Sequence, residues 1–413
     1  METFDYSIIG GGIVGLAAAR QVSLQFPGSK ILVLEKEDSP GQHQTGRNSG
    51  VIHSGIYYQP GSFKARFARA GAESMVRFCK EFGIPFEVCG KLIVATRSRQ
   101  IPQLEELLFR AGENGVPARK VSSEEAKEFE PHVECLSAVR VESTGITSYR
   151  EVCLEYLRQI EEAGGLACFN QSVVGFHRKN GEKSSTIETQ EKNFRSRFVI
   201  NCAGLHSDRI ARASGLELNS QIIPFRGEYF QLRAEKQHLV RSLIYPVPNP
   251  DFPFLGVHFT RMIDGSVHAG PNAVLAFARE GYSKTSLSLQ DTWQTMKFRG
   301  FQKLALKHFK DGSKEIFRSL CKPVFTRSLQ ELVPEVRQDD LEPCESGIRA
   351  QGVDTLGNLI DDFLILETEH SLHVCNAPSP AATASLEIGK EIGRRLPDLR
   401  PRSINSNSSQ IDS

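Results

Sequence analysis

Residues 4–21, FDYSIIGGGIVGLAAARQ, constrain the fold more than any other stretch of this chain. A short apolar run, three spaced glycines (Gly10, Gly12 and Gly15) and an alanine-rich segment follow one another without a break. FDYSII reads as a buried parallel strand, and the segment from Ile13 reads as a helix packed against it. At this spacing the first glycine permits a tight turn, the second lets the backbone approach a pyrophosphate, and the third lets the helix lie close to the strand. The unpaired amides and the dipole at the start of such a helix favour an anion. G-x-G-x-x-G alone is a weak signal. Here a second strand, KILVLE, ends in Glu35 about 20 residues further on, where a carboxylate accepts hydrogen bonds from a ribose diol. Lys36, next in the chain, joins Glu35 in the nucleotide-binding set. Glu35 repels a 2′-phosphate, which leaves NAD or the ADP half of FAD. The fingerprint does not separate these two, because it reads the adenosine diphosphate they share.

The segment that follows favours the flavin. Residues 41–71, GQHQTGRNSGVIHSGIYYQPGSFKARFARAG, carry the donors Arg47, Asn48 and Ser49 and the imidazole of His53. A repeating αβ nicotinamide domain calls for another strand and helix at this point. The donor-rich loop found instead suits a pyrophosphate and an isoalloxazine ring, and GVIHSGIYY is too apolar for free solvent. The chain then returns to the nucleotide unit: 149–165 has helical spacing with a glycine pair at its end, LACFNQSVVGF reads as a strand, and RFVINCAGLHSDRIA as strand, turn and helix. Val173 and Val174 read either as an apolar slot for adenine or as core, and Ala203 and Gly204 as a close backbone approach to the nucleotide. Residues 347–396 supply further strands, a proline-broken turn and a helix that complete the unit.

The expected architecture is α/β: a Rossmann-like FAD-binding domain (1–85, 146–224 and 345–400) with a discontinuous α+β substrate domain (86–145 and 225–344) on a mainly antiparallel sheet. Residues 401–413 read as a disordered tail. With 413 residues, 39% of them hydrophobic, the chain is long enough for two such domains. No apolar run reaches the roughly 20 residues that span a bilayer. Nine cysteines without a C-x-x-C pair argue against a disulfide framework or a structural zinc site, and no metal is expected. A net charge of +1 gives no reason to expect nucleic acid. Residues 296–327 are locally basic, with nine Lys/Arg against two Asp/Glu, and Phe301, Leu304, Ala305 and His308 recur at helical spacing. That pattern fits a helix on an anionic membrane surface or a solvated helix with its apolar side buried. No cationic presequence precedes the first strand, which is expected of a cytosolic chain or of one whose targeting segment lies outside this numbering.

The strings GGGIVGLAAAR, RNSGVIHSGIYY, FLGVHFTRMIDGSVHAGPNAVLAF, GIRAQ and NAPSPAATASLEIG together resemble the L-2-hydroxyglutarate dehydrogenase family, within the FAD-dependent D-amino-acid-oxidase-like superfamily. The resemblance runs over nearly the whole chain. It implies a flavoprotein that oxidises (S)-2-hydroxyglutarate to 2-oxoglutarate, with a mitochondrial location in animals; a quinone or electron-transfer protein is the expected acceptor. A related flavin oxidase acting on an amine, and a nucleotide-binding sensor without turnover, are the readings weighed against it.

Oxidising a 2-hydroxy acid requires a hydride to leave C2 while a base takes the hydroxyl proton, and a dicarboxylate adds a demand for cations. The resemblance sets His53 against the flavin, as base or as a hydrogen-bonding partner of the ring. It brings Arg349 to the flavin face as the anchor for the α-carboxylate, with an internal salt bridge as the competing role. His258 and Arg261 share GVHFTRM but face opposite sides of a strand, so His258 is favoured for the cavity and Arg261 also suits a surface ion pair. Asn272 is expected to line the cavity or to hold a turn. The backbone from Ser379 through Ala381, Ala382 and Thr383, read as a helix start, is expected to approach the flavin and stabilise negative charge on it.

Overall fold

The computed structural model describes residues 2–248, 255–308 and 321–399. The opening motif folds as its sequence predicts, with a strand Thr3–Ile9, the turn at Gly10 and a helix Ile13–Gln25. This strand sits in an eight-stranded sheet whose parallel core runs Leu166–Cys168, Ile31–Leu34, Thr3–Ile9, Asn193–Asn201 and Ser371–Asn376. Leu364–Glu367 pairs antiparallel with Ser371–Asn376, and the hairpin Val173–His177 and Ser185–Thr189 lies antiparallel on the first half of Asn193–Asn201. Strands from widely separated parts of the chain therefore meet in one layer.

The helix Ile13–Gln25 is apolar on most of its circumference because it is covered from several sides. It packs against the helices Tyr149–Glu162 and Ser385–Arg395 as well as on the sheet. Small residues set the helix spacing: a Cβ at Gly389 would stand 2.7 Å from the carbonyl oxygen of Ala17. The helix Phe63–Phe82 is capped by the Ser62 hydroxyl at one end and by left-handed Gly83 at the other. Its Gly71 lies so close to Ala384 that a Cβ would fall 2.7 Å from that residue's Cα, so this helix braces the turn before Ser385.

The second sheet has nine strands. Their order is Leu341–Pro343, Ser220–Leu232, Val267–Leu275, His258–Arg261, Leu243–Pro246, Lys91–Ala95, Ser137–Val141 and Ala118–Val121, with Gly347–Asp354 also paired to Ser220–Leu232. All its pairings are antiparallel except that of Leu243–Pro246 with Lys91–Ala95. That one parallel pairing joins the two stretches of sequence that make up the layer. The long pairing of Ser220–Leu232 with Gly347–Asp354 draws both of those segments into the same sheet.

Within the basic segment 296–327, residues 309–320 lie outside the described residues, as does the tail 401–413. In the described part, the helix Arg299–Lys307 turns Phe301 and Leu304 inward against Ile223 and Val353, while Ala305 is exposed. No helix among the described residues is long and apolar enough to cross a membrane.

Candidate active site

A continuous cavity of ≈ 1130 Å³ is lined by residues of both sheets, from Gly10 and Glu35 at one part to His258 and Arg349 at another. At the glycine end, Gly10 adopts φ +109°, and a Cβ there would lie 2.5 Å from the carbonyl oxygen of Cys202. A Cβ at Gly15 would lie 2.0 Å from the carbonyl oxygen of Gly10. These two glycines are demanded by the fold. Gly12 is different: the nearest atom to a Cβ there is Thr45 Oγ1 at 3.4 Å, so the protein tolerates a side chain and the demand for glycine comes from the cavity side. That is what a phosphate cradle requires.

Glu35 is buried and fixed on the cavity wall. Its Oε2 accepts the Gly11 N–H at 2.6 Å and its Oε1 accepts the Glu37 N–H at 3.0 Å, leaving a lone pair on each oxygen for a diol. Val174 and Ala203 line the same cavity with Gly204. Val173 also lines the cavity while packing against the core, and the strand is irregular between Val173 and Gly175, where Val174 is half exposed. The Gly-cradle, the carboxylate and this slot fit the adenosine end of FAD.

The loop after Glu35 is pinned by a polar cluster. Lys36 Nζ stands 2.9 Å from Glu280 and 2.7 Å from His43 Nε2, and it also pairs with Glu37. His206 Nε2 lies 2.7 Å from Glu280, whose carboxyl is held at about 2: burial alone would raise it, but the bonds to His206 and Lys36 prevail. Glu37, His43 and Glu280 have the spacing of metal ligands, and Lys36 supplies the cation at that place. Asn48 spends its side chain on the loop itself, donating to the carbonyls of Gln44 and Thr45 and accepting from Gly50 N–H. Arg47 lies over the Tyr282 ring, 4.4 Å from its centroid, and pairs with Glu345 at 3.1 Å. Arg47, Asn48 and Ser49 all line the cavity.

The reacting end gathers nitrogen bases and phenols. His53 follows the strand Val51–Ile52, and its backbone N–H donates to Thr383 Oγ1 at 3.0 Å. The Thr383 hydroxyl also lies 2.8 Å from Tyr149 Oη and 3.2 Å from the carbonyl oxygen of Val51, so it stitches together three segments. His258 is buried, with Nδ1 2.8 Å from the carbonyl oxygen of Gly256 and its ring 3.9 Å from that of Tyr245. A carbonyl oxygen only accepts, so Nδ1 carries the hydrogen and Nε2 keeps its lone pair. Both imidazoles are pushed down to about 3. For His53 burial acts first, then the charges of Lys91, His258 and Arg349; for His258 burial again dominates, against the Gly256 bond. Both are neutral near pH 7.

Lys91 was not anticipated. It opens a strand that is buried throughout, is 1% exposed, and places Nζ 4.4 Å from the Tyr57 ring centroid and 5.0 Å from that of Tyr245. Burial brings its ammonium down to about 7. Tyr57, Tyr58, Tyr229 and Tyr245 line the cavity and were likewise missed, as was Thr45, whose Oγ1 accepts the Ile13 N–H at 3.1 Å. The one sequence signal for Lys91 is a lysine heading an apolar run, KLIVA, where a charged side chain needs a reason to be present.

Three expectations need correction. Arg261 is turned away from the cavity: its guanidinium pairs with Glu87 and donates to the carbonyl oxygen of Arg241 at 2.9 Å, as alternation along the strand requires. Asn272 does not line the cavity either. Its Oδ1 accepts the Glu228 N–H at 3.3 Å beside a break in register between Glu228 and Phe230, so it serves the sheet. The backbone Ser379–Thr383 is a turn rather than a helix start, with Ala381 N–H bonded to Pro378 and Ala384 N–H to Pro380, and the helix begins at Ser385. Ser379, Ala381, Ala382 and Thr383 nevertheless line the cavity, as do His53 and Arg349.

Comparison with known proteins agrees with this geometry. The family model described as FAD dependent oxidoreductase (DAO) matches residues 5–395. L-2-hydroxyglutarate dehydrogenase of Indibacter alkaliphilus is 48% identical over 388 residues, covering 94% of this chain and 97% of that protein. The protein of the same name from Escherichia coli K12 is 43% identical, with 96% and 94% covered. The human protein, whose name adds "mitochondrial", is 43% identical with 94% and 87% covered. Among solved structures, the FAD-bound, dithionite-reduced L-α-glycerophosphate oxidase of Mycoplasma pneumoniae superposes with a TM-score of 0.77 at 21% identity, over 95% of this chain and 94% of that one. Glycine oxidase of Geobacillus kaustophilus follows the same fold, with a TM-score of 0.72 at 16% identity and both chains fully covered. The chain belongs to the DAO family of FAD-dependent oxidoreductases, among the members named L-2-hydroxyglutarate dehydrogenase.

Proposed function

We propose that this enzyme oxidises (S)-2-hydroxyglutarate to 2-oxoglutarate. The observation that carries the reading is the electrostatic make-up of the reacting end: the groups acting on both neutral imidazoles are the basic side chains of Lys91 and Arg349, and a bound anion favours the charged form of the buried lysine. An anionic substrate satisfies such a site, whereas an amine would add like charge to it. Bound FAD supplies the two-electron acceptor for the hydride of C2. Gly12, Glu35 and the turn Ser379–Thr383 hold it, with Val174, Ala203 and Gly204 around its adenosine. Arg349 takes the α-carboxylate through paired N–H donors and so orients C2. The lone pair of His258 Nε2 accepts the hydroxyl proton, and His53 packs beside the reacting carbon as the second neutral imidazole. Loss of one hydride and one proton converts the alcohol to the ketone.

Anaerobic addition of (S)-2-hydroxyglutarate to the yellow protein tests the reading. Rapid loss of flavin absorbance with that acid, and none with amino acids, is the expected result; bleaching by amino acids instead assigns the chain to the amine oxidases. The acceptor is proposed to be a quinone or an electron-transfer protein, checked by comparing turnover with a soluble quinone against turnover with oxygen. A mitochondrial location is proposed on the names of the animal relatives, together with peripheral membrane contact near residues 296–327, supported by exposed apolar side chains just before that segment.

A further inference from the structure

Lys91 poses a problem that the reaction scheme leaves unsolved. An ammonium removed from water is costly unless an anion answers it. Among the described residues no carboxylate pairs with Lys91: the groups facing it are the Tyr57 and Tyr245 rings, and its charge is felt by His53 and His258. Two aromatic faces ease the burial of a cation without neutralising it. Tyr57 adds a second anomaly. Its hydroxyl is buried on the cavity lining and has no hydrogen-bond partner among the described residues, although buried phenols normally find one. Burial also keeps that hydroxyl protonated, hence a donor. Tyr57, on the cavity lining, thus carries an orphan donor, and the Lys91 ammonium lies over its ring.

We infer that Tyr57 and Lys91 form the subsite for the substrate's second carboxylate. The Tyr57 hydroxyl donates a hydrogen bond to that carboxylate, and the ammonium behind the Tyr57 ring supplies the opposing charge. Lys91 is therefore a specificity-determining residue that acts through Tyr57 and through its field. Arg349 and Lys91 divide the two carboxylates between them, so a monoacid held at Arg349 leaves Lys91 without an anion. The assignment rests on the dicarboxylate reading above.

The test uses the FAD-loaded enzyme and two inert ligands of five carbons, glutarate and pentanoate, titrated by the change they cause in flavin absorbance. Wild-type enzyme is expected to prefer glutarate. Lys91→Met should weaken glutarate by about 30-fold while moving pentanoate by no more than about threefold, and Lys91→Arg should restore part of the loss. Tyr57→Phe, which removes one oxygen and keeps the ring, should weaken glutarate by about fivefold and leave pentanoate alone. Equal losses for both ligands, or an undiminished glutarate preference in Lys91→Met and Tyr57→Phe, overturn the subsite. Should Lys91→Met fail to fold, Tyr57→Phe alone decides between these outcomes. If wild-type enzyme neither prefers glutarate nor bleaches with (S)-2-hydroxyglutarate, the substrate reading itself falls; if it does both and the variants keep the preference, only the subsite falls.

Discussion

Single residues in this molecule carry conflicting demands, and Lys91 is the clearest case. A cation kept in the core for a ligand's sake should weaken the folded state in the ligand's absence. Lys91→Met, which keeps the length and removes the charge, is therefore expected to raise the Tm of the ligand-free enzyme by about 2 °C or more, whereas a structural lysine would lower it on removal. Differential scanning calorimetry decides between the two. The histidines give a second prediction at the same scale. With their pKa values near 3 in the free enzyme, His53 and His258 are neutral, and able to accept a proton, at every pH above that value. Activity carried by a neutral imidazole is lost only as pH falls through its folded pKa. The profile of kcat/KM should therefore lack an acid limb near 6.5, the ordinary histidine value, and show no fall from about pH 7 down to about pH 5, where Lys91 only gains protons. A bell whose acid side falls at 6 to 7 would falsify the assignment of a buried neutral base. The same shift has a stability cost: the unfolded chain binds more protons than the folded one between about 6.5 and 3, so stability declines as pH is lowered through that window.

At the level of elements, the site is built where strand ends and turns from distant parts of the sequence are tied together by a few buried groups. The Thr383 hydroxyl joins the turn before the last helix to His53, Val51 and Tyr149. Thr383→Val keeps the branched shape but strands the His53 N–H, and is expected to cost about 1–3 kcal/mol in denaturant unfolding and to loosen retention of FAD. The glycine turn yields a sharper contrast. A methyl at Gly15 meets a backbone oxygen at 2.0 Å, so Gly15→Ala should release flavin on gel filtration, read as a fall in the ratio of visible to ultraviolet absorbance. Gly28→Ala, where nothing lies within 4 Å and only φ +81° is strained, should cost about 1 kcal/mol and keep the yellow colour. These elements also show what was legible in the sequence. Thr3–Ile9, Gly10, Gly15 and Glu35 lie within a contiguous local pattern, so periodicity and spacing were enough to place them. Arg349 and the 379–383 turn were reachable only through resemblance, because their place depends on strands pairing across more than a hundred residues. Tyr57 was not legible, and for Lys91 the only local signal was its place at the head of an apolar run, which does not say that the strand lies inside a nine-stranded sheet. Alternation along the strand already set Arg261 opposite His258, but its partner Glu87, like the break in register that puts Asn272 to work in the sheet, is a property of the assembled sheet.

Considered whole, the molecule clamps its two sheets with buried charge. Asp208, on the helix Ser207–Ala213 beside the first sheet, pairs with Arg279, which follows the second, and both are almost fully buried. The helix Leu289–Lys297 attaches to this clamp through polar residues: Asp291 accepts the Arg279 N–H at 2.8 Å and pairs with Arg209, and Gln294 also receives Arg209. Its apolar residues point the other way. Leu289 and Trp293 are 79% and 67% exposed, and Met296 completes the same face one turn on. A helix with its polar side inward and its apolar side outward inverts the usual pattern of a surface helix. Lys297, Lys303 and Lys307 are exposed nearby, while Phe301 and Leu304 are spent on the core. Exposed Leu and Trp bordered by lysines suit the interface of an anionic bilayer, where the rings sit at headgroup level and each lysine near the surface adds about 1 kcal/mol. Trp293 is the chain's one tryptophan, so its own fluorescence reports the event. Vesicles containing phosphatidylserine should shift that emission to the blue and carry the enzyme into the pellet. Lys297→Glu with Lys303→Glu should weaken binding to anionic vesicles by about 30-fold or more, and Leu289→Ser should weaken it without altering the Tm. Emission unmoved by vesicles, or pelleting indifferent to all three substitutions, would leave this face to another protein rather than to lipid.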